Sequence, residues 1–214
     1  MEIRAFTEGD RAELRGLFAR AGEGSPTASL WGDPESEASI YLDPYMDLEP
    51  ESLFVAVVDG GLVGYLTGCV DSSEFPGEDE LLERAIREHR LFLRRGPARF
   101  FARSMLDMAV GTLRRQPRAG ELRDPRWPAH LHINVAPEAR GTGAAQGLMK
   151  HWLQRLDALE SPGCYLQTLV ENTRAVRFFE RMGFTEYGEA AAVPGLRYQG
   201  KRVHQRTMVR TRRA

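Results

Sequence analysis

The sequence predicts an α/β (α+β) fold, and three observations point to it. Leu53-Phe54-Val55-Ala56-Val57-Val58, then Asp59-Gly60-Gly61, then an apolar run to Val70 reads as two strands joined by a tight turn, with glycine supplying positive φ. Farther on, strand-like runs at 131–135 and 164–170 flank a helical run, the alternation that makes a parallel pair with a crossover helix. Residues 202–209 then alternate well enough to close the chain as another strand. At 214 residues the chain suits one domain with a well-buried core and room for an elaboration.

The elements follow in order. Residues 2–6 alternate polar and apolar, and Thr7-Glu8-Gly9-Asp10 sets a hydroxyl and a carboxylate three apart, as at a helix start. Ala12, Leu14, Leu17, Phe18 and Ala21 recur at helical spacing. Gly24, Pro26, Gly32, Pro34 and Pro44 interrupt the next stretch too often for one long helix, so it reads as loop with short helical pieces. After the hairpin, residues 71–128 form a helical insertion. One helix is marked by Leu81, Leu82, Ala85 and Ile86, and a second, after a break at Gly96-Pro97, by Phe100, Phe101, Met105, Met108 and Leu113. Beyond it come a strand at 131–135, a helix through Leu148, Trp152, Leu153 and Leu156 ended by Pro162-Gly163, a strand at 164–170, a helix at 172–182 and two extended stretches. No internal repeat or low-complexity segment is present.

Composition excludes several classes. With 42% apolar and 28% charged residues the chain is neither disordered nor membrane-spanning in character. Lys plus Arg number 29 against 30 Asp plus Glu, a net of −1, which disfavours a surface that binds nucleic acid or acidic membranes as a whole. Cys69 and Cys164 both sit among apolar or aromatic neighbours and read as buried reduced thiols, with no metal site expected. No apolar leader opens the sequence, so a cytoplasmic protein is expected.

The chemistry is concentrated after the insertion. Val135-Ala136-Pro137-Glu138-Ala139-Arg140-Gly141-Thr142-Gly143-Ala144-Ala145 lies between a strand and a helix. A glycine turn there presents backbone N–H groups beside the positive end of a helix dipole and suits phosphate, although many such loops need glycine merely to turn. Glu171-Asn172-Thr173-Arg174-Ala175-Val176-Arg177-Phe178-Phe179-Glu180-Arg181-Met182-Gly183-Phe184 follows one βαβ unit later. Together the two segments resemble the GCN5-related N-acetyltransferase (GNAT) superfamily. Arg140, Gly143 and Ala145 match its acetyl-CoA loop, and 172–184 its Asn-x-x-Ala-x-x-aromatic-aromatic-Glu-Arg-x-Gly-Phe helix. Pro128-Ala129-His130-Leu131-His132-Ile133-Asn134-Val135, the arginine-rich insertion and the closing strand also resemble bacterial acetyltransferases similar to the C-terminal acetyltransferase-like domain of O-GlcNAcase, which is often regarded as catalytically impaired.

The resemblance implies a mixed, mostly antiparallel sheet of about seven strands, with a splayed parallel central pair and helices on both faces. It implies an N-acetyltransferase with acetyl-CoA as co-substrate. Pantetheine would lie along Ile133, Asn134 and Val135, and the pyrophosphate on the amides of Gly141, Thr142, Gly143, Ala144 and Ala145, with Arg140 at the mouth. Asn172, Ala175, Phe178 and Phe179 would flank the pantetheine arm. The other partner implied is a primary amine on a small molecule or a protein, attacking the thioester directly.

A lysine-like amine, of pKa about 10.4, must shed a proton before it attacks. His132, Asn134 and Glu171 are the candidate catalytic residues. Alternation sets His132 opposite Ile133 and Val135, and a structural histidine is an equal reading. Phe179 departs from the tyrosine many members carry to protonate the leaving thiolate. At a thiol pKa of about 8.5 that loss costs only roughly 2 kcal/mol at neutral pH, which slows turnover without forbidding it. Tyr165, Tyr187 and Tyr198 remain open as substitutes, and a non-catalytic acyl-CoA-binding module is the alternative function. Arg84, Arg87, Arg90 and Arg94 fall along one helix face, read as a solvated face, with nucleic acid disfavoured as a partner and no membrane contact expected. Trp31 and Trp127 read as core or rim residues. The insertion and the closing strand each offer surface for a homodimer.

Overall fold

The chain, described by a computed structural model over residues 1–21, 30–117 and 119–212, opens with β1 (Glu2–Ala5). At its end the Asp10 carboxylate accepts from the Thr7 N–H at 2.8 Å and takes both Arg4 guanidinium nitrogens at 2.7 Å. This short carboxylate closes the turn leading to α1 (Arg11–Ala21). The interrupted stretch holds α2 (Pro34–Tyr41) and α3 (Asp43–Leu48), each with proline in its first turn, where no N–H is missed. Gly24 and Pro26 lie outside the described residues.

The hairpin is β2 (Leu53–Val58) and β3 (Gly61–Cys69), turning through Asp59 at φ 51° and Gly60 at φ 82°. In the insertion, α4 (Glu78–Glu88) ends before Arg90, which takes a left-handed φ of 51°, and α5 (Arg95–Leu113) follows. Two expectations are corrected here. Arg84 and Arg87 ride on α4, but Arg90 and Arg94 lie beyond its end, so the four do not share one helix face. The Gly96-Pro97 break instead falls in the first turn of α5, where proline costs no hydrogen bond. Arg84, Arg87 and Arg94 each pair with a carboxylate, of Glu80, Glu83 and Asp33, which accounts for them as surface charge.

β4 (Ala129–Val135), α6 (Ala144–Ala158), β5 (Gly163–Leu169), α7 (Thr173–Arg181), β6 (Thr185–Tyr198) and β7 (Lys201–Thr211) complete the fold. Seven strands form one sheet in the order β1-β2-β3-β4-β5-β7-β6, antiparallel except for β4 against β5. That parallel pair is joined only at its start, Ala129 opposite Cys164 and His130 opposite Tyr165, after which the strands part. β3 stays paired with β4 as far as Val135, and β7 with β5 as far as Leu169, so the parting is a wedge in an otherwise continuous sheet.

On one face α6 and α7 bury Leu131, Leu148, Met149, Trp152, Leu166 and Phe179 with neighbours. The other face packs α1 and α3 over Leu53, Val55, Tyr65 and Cys69. α4, α5 and Trp31 form a third cluster beside α2. Cys69 and Cys164 are buried free thiols, whose burial pushes both pKa values up to about 12. Trp31 and Trp127 are buried as well. α5 is clamped to the last hairpin by Asp107, which accepts from Gly195 N–H at 2.9 Å and pairs with Arg197 and Arg202, both at 2.8 Å. No helix among the described residues is long and apolar enough to cross a membrane.

Two positions set the wedge and its walls. A Cβ on Gly68 would stand 2.3 Å from the Trp152 ring, so this glycine sets how closely α6 lies on β3. Gly68→Ala should lose about 1–3 kcal/mol in urea denaturation, as overpacking does. The Asp107 carboxyl is held down to about 2, chiefly by its Arg197 hydrogen bond. Its contribution is therefore complete above the ordinary carboxylate pKa and fades as pH falls toward 2. Asp107→Asn should cost about 1–3 kcal/mol at pH 7 and much less near pH 2, measured as thermal stability at both pH values.

Candidate active site

The wedge between β4 and β5 opens a cavity of about 300 Å³. Leu131, His132, Ile133 and Asn134 line it from β4, and Leu166, Gln167, Thr168 and Leu169 from β5. Asn172, Ala175 and Phe179 add to the lining from α7 and its cap, and Tyr41, Tyr65, Glu78 and Leu196 line it as well. A smaller recess of about 40 Å³ continues from it between α2, α3 and α4, sharing Tyr41, Glu78, Leu131, His132, Leu166 and Gln167.

The loop after β4 takes the form its glycines allow. Gly141 and Gly143 have φ of 87° and 94°, and a Cβ at Gly141 would meet nothing within 4 Å, so the turn is open outward. Gly143 is the N-cap of α6, which leaves the first N–H groups of a 15-residue helix facing that opening. Thr142 Oγ1 donates to Ala139 C=O at 2.7 Å, bracing the turn. The Arg140 guanidinium donates to the carbonyls of Ala21 at 3.2 Å and Val135 at 3.4 Å, tying the loop to α1 and the end of β4. Ala144 is buried and Ala145 half-buried, so neither adds bulk over the helix start, and the Met1 side chain stands beside the turn, its Sδ 3.9 Å from Thr142 Oγ1. An open, positively polarised turn beside a wedge with unpaired strand backbone fits a phosphate-bearing group with an extended arm.

Around β4 a polar chain runs through the wall on the α3 side. Ser72 Oγ donates to Pro128 C=O at 2.6 Å, since a carbonyl offers no proton, and so accepts from His130 Nδ1 at 2.7 Å. Burial pushes the His130 pKa down to about 3 and the His132 pKa to about 4, so both rings are neutral at pH 7. His130 Nε2 then accepts from Tyr45 Oη at 2.8 Å, and the same oxygen accepts from His132 Nε2 at 3.0 Å. The direction of every proton follows, and Nδ1 remains as the lone-pair atom of His132. The chain ends on a carbonyl that can take no proton, so it fixes a tautomer and conducts nothing. Phe75 stacks on Tyr45 at 4.6 Å and holds its ring in place.

The remaining candidates fall in different places. Asn134 Nδ2 donates to Tyr65 Oη at 2.9 Å, on the same face as His132. Asn172 Oδ1 accepts from Ala175 N–H at 3.2 Å and caps α7. Phe179 is buried against Phe184 and lines the cavity, whereas Phe178 packs beside it off the lining. Glu171 lies outside the cavity lining and binds His204 through its N–H and Nδ1. Burial alone would raise the Glu171 carboxyl, and the His204 donors outweigh it and hold it below its ordinary value. Of the open tyrosines, Tyr165 lines the recess, while Tyr187 packs on Trp127 and Tyr198 joins the apolar cluster of Leu196 and Val203.

Tyr41, Tyr45, Tyr65, Ser72 and Glu78 escaped sequence reasoning. One signal was available: period-2 alternation puts His130, His132 and Asn134 on one face of a central strand, where buried polar groups must find partners. Nothing local said that those partners come from α2, α3 and the start of the insertion. Among the described residues no group of three or more His, Cys, Asp or Glu is placed to hold a metal ion.

With this geometry in hand, a model of the acetyltransferase (GNAT) family matches residues 23–184. The chain belongs to the GNAT acetyltransferase family, whose co-substrate is acetyl-CoA. Among solved structures, that of SsHAT superposes with a TM-score of 0.61 at 22% identity, covering 98% of this chain and 97% of that one. The ribosomal-protein-alanine N-acetyltransferase from Brucella melitensis gives 0.59 at 18%, covering 99% and 100%. The putative acetyltransferase yncA from Salmonella typhimurium, solved with its cofactor acetyl-CoA, gives 0.60 at 15%, covering 100% and 96%. These likenesses establish the GNAT fold, the sheet and splayed pair expected from the sequence included.

Neutral, buried histidines make folding stability pH-dependent. The unfolded rings, with pKa about 6.5, bind protons that the folded ones refuse, so stability falls as pH drops from about 6.5 toward 4. Near pH 5 the slope of unfolding free energy against pH in His132→Asn should be smaller than in wild type by about 1.4 kcal/mol per pH unit, read from urea titrations at several pH values.

Proposed function

We propose that the protein is an acetyl-CoA-dependent N-acetyltransferase acting on a primary amine in a ternary complex. The single observation that carries this reading is the wedge itself: strand backbone left unpaired beside an open glycine turn at a helix N-terminus.

In this reading Ile133, Asn134 and Val135 offer their unpaired backbone to the pantetheine amides, completing the sheet as a strand would. Gly141, Thr142, Gly143, Ala144 and Ala145 give N–H groups to the pyrophosphate, with Arg140 fixing the loop's course. Asn172, Ala175, Phe178 and Phe179 form the wall along the arm. A backbone N–H of β4 meets the charge that develops on the thioester oxygen. His132, locked with a lone pair on Nδ1, holds the acceptor nitrogen by a hydrogen bond, and Asn134 with Tyr65 keeps the wall beside it polar. Glu171, engaged with His204, supports the end of β5 next to Asn172. Phe179 has no proton to give, so the thiolate leaves unassisted by that position.

Isothermal titration should show acetyl-CoA binding that weakens at least tenfold in Gly143→Glu, where a bulky anion would occupy a left-handed backbone position at the turn. No binding to folded protein, or equal binding by the two, would sink the reading. Phe179 also favours a second reading, a non-catalytic acyl-CoA-binding module. Steady thiol release with an amine panel rejects it, and binding without any thiol release supports it.

A further inference from the structure

We propose that Glu78, contributed by the helical insertion, is the catalytic residue that takes the proton from the acceptor amine, and that the recess it borders selects an aliphatic ammonium. The inference rests on the acetyltransferase reading above and adds to it a residue and a substrate class.

Position comes first. Glu78 is the first residue of α4 and lines both the main cavity and the recess, as Tyr41 and His132 also do. Its backbone N–H is fixed by Glu121 Oε1 at 2.7 Å, and its Oε1 accepts from Tyr41 Oη. That leaves Oε2 for a ligand. The recess has room for about three water-sized bodies, which suits an ammonium with its first methylene.

Charge comes second. Neither the cavity nor the recess is lined by any lysine or arginine among the described residues, whereas Glu37, Glu78 and Glu121 are present. Glu37 is spent, its Oε1 accepting the N–H groups of Leu30, Trp31 and Gly32 at 3.1, 3.0 and 3.2 Å. Glu121 accepts the Glu78 N–H and pairs with Arg123 at 3.8 Å, so the carboxylate oxygen open to a ligand is Glu78 Oε2, framed by Tyr41, Tyr45 and Phe75. Carboxylate and aromatic faces both favour a cation on an apolar stem, and they repel an acceptor with its own carboxylate near the amine.

Proton affinity and exit come third. His132 lines the cavity, but its hydrogen-bond chain ends on the Pro128 carbonyl, so a proton placed on it has no relay through the wall. Glu78 keeps an exposed outer side while its carboxylate faces the recess. The groups facing it are Tyr41 and Glu37 from α2, Tyr45 from α3, Asp79 on its own helix, Glu121, and His132 and Tyr165 from the strands. Burial of the carboxyl, followed by the nearby carboxylates, raises its pKa above the ordinary value, making it a better proton acceptor than a surface glutamate.

The step balances. Glu78 removes one of three protons from the ammonium and releases it to solvent. The freed nitrogen forms its bond to the acetyl carbon as the carbon–sulfur bond breaks. A second nitrogen proton ends on the departing sulfur, and the third stays on the amide.

The test compares wild type, Glu78→Gln, Tyr41→Phe and His132→Asn with butylamine and with 4-aminobutyrate, following thiol release and titrating acetyl-CoA into each. The expected result is a wild-type kcat/KM at least tenfold higher for butylamine, and a kcat lowered at least 100-fold at pH 7 in Glu78→Gln, with acetyl-CoA affinity unchanged. Tyr41→Phe, which keeps the carboxylate, should fall less in kcat and retain the preference. Glu78→Gln should also lose the acid limb of the kcat/KM profile. Turnover of Glu78→Gln within twofold of wild type, or 4-aminobutyrate used as well as butylamine, overturns the proposal while leaving the acetyltransferase reading intact. A wild type that neither binds acetyl-CoA nor releases thiol overturns both.

Discussion

A strand inside a sheet has N–H and C=O groups on both edges to satisfy, and β4 satisfies only one of its edges beyond His130. Toward β3 it is paired as far as Val135, and toward β5 it pairs with Cys164 and Tyr165 and then diverges. Such a gap in the middle of a sheet costs hydrogen bonds that folding alone does not return. It persists because each of its flanks is held from outside: β5 by β7 along its length, and β4 by β3 with α6 pressed down on Gly68 through Trp152. The cavity, the exposed glycine turn and the meeting of two faces at His132 all derive from this one divergence.

The two sides of the gap obey different chemistry. On the α6 side the surface is backbone amide, small side chains and helix dipole, an arrangement that recognises phosphate and amide groups whatever else the ligand carries. On the opposite side the surface is made of hydroxyls and a carboxylate from α2, α3, α4 and the loop after β3, with the imidazoles of β4, and it is ordered by hydrogen bonds with defined directions. The first surface is local in sequence, between residues 133 and 145. The second is assembled from pieces lying between residues 41 and 132.

That difference explains what could be read from the sequence. Gly141, Gly143, Ala145, Asn172 and Ala175 announce their purpose through fixed spacing, and the hairpin, the crossover and the closing strand through periodicity. Glu78 opens the acidic run Glu78-Asp79-Glu80, which any helix start favours, and Tyr41 and Tyr45 lie in a stretch broken by prolines. Their meeting with His132 depends on long-range packing that no window of sequence contains. The arginine pattern erred for a related reason: spacing of three or four implies a shared face only while the helix lasts, and Arg90 turns left-handed two residues after α4 ends.

The clamp at Asp107 places a limit on the order in which the molecule can assemble. Its partners Arg197 and Arg202 lie about ninety residues downstream, on the hairpin whose β7 also pairs with the far edge of β5. A growing chain emerging from the ribosome can therefore form the hairpin of β2 and β3 and dock α1 early. The wedge, whose β5 flank is held by β7, must wait for that strand. Closing so long a loop is a slow, late event, so the cavity between β4 and β5 takes shape only after β7 has docked.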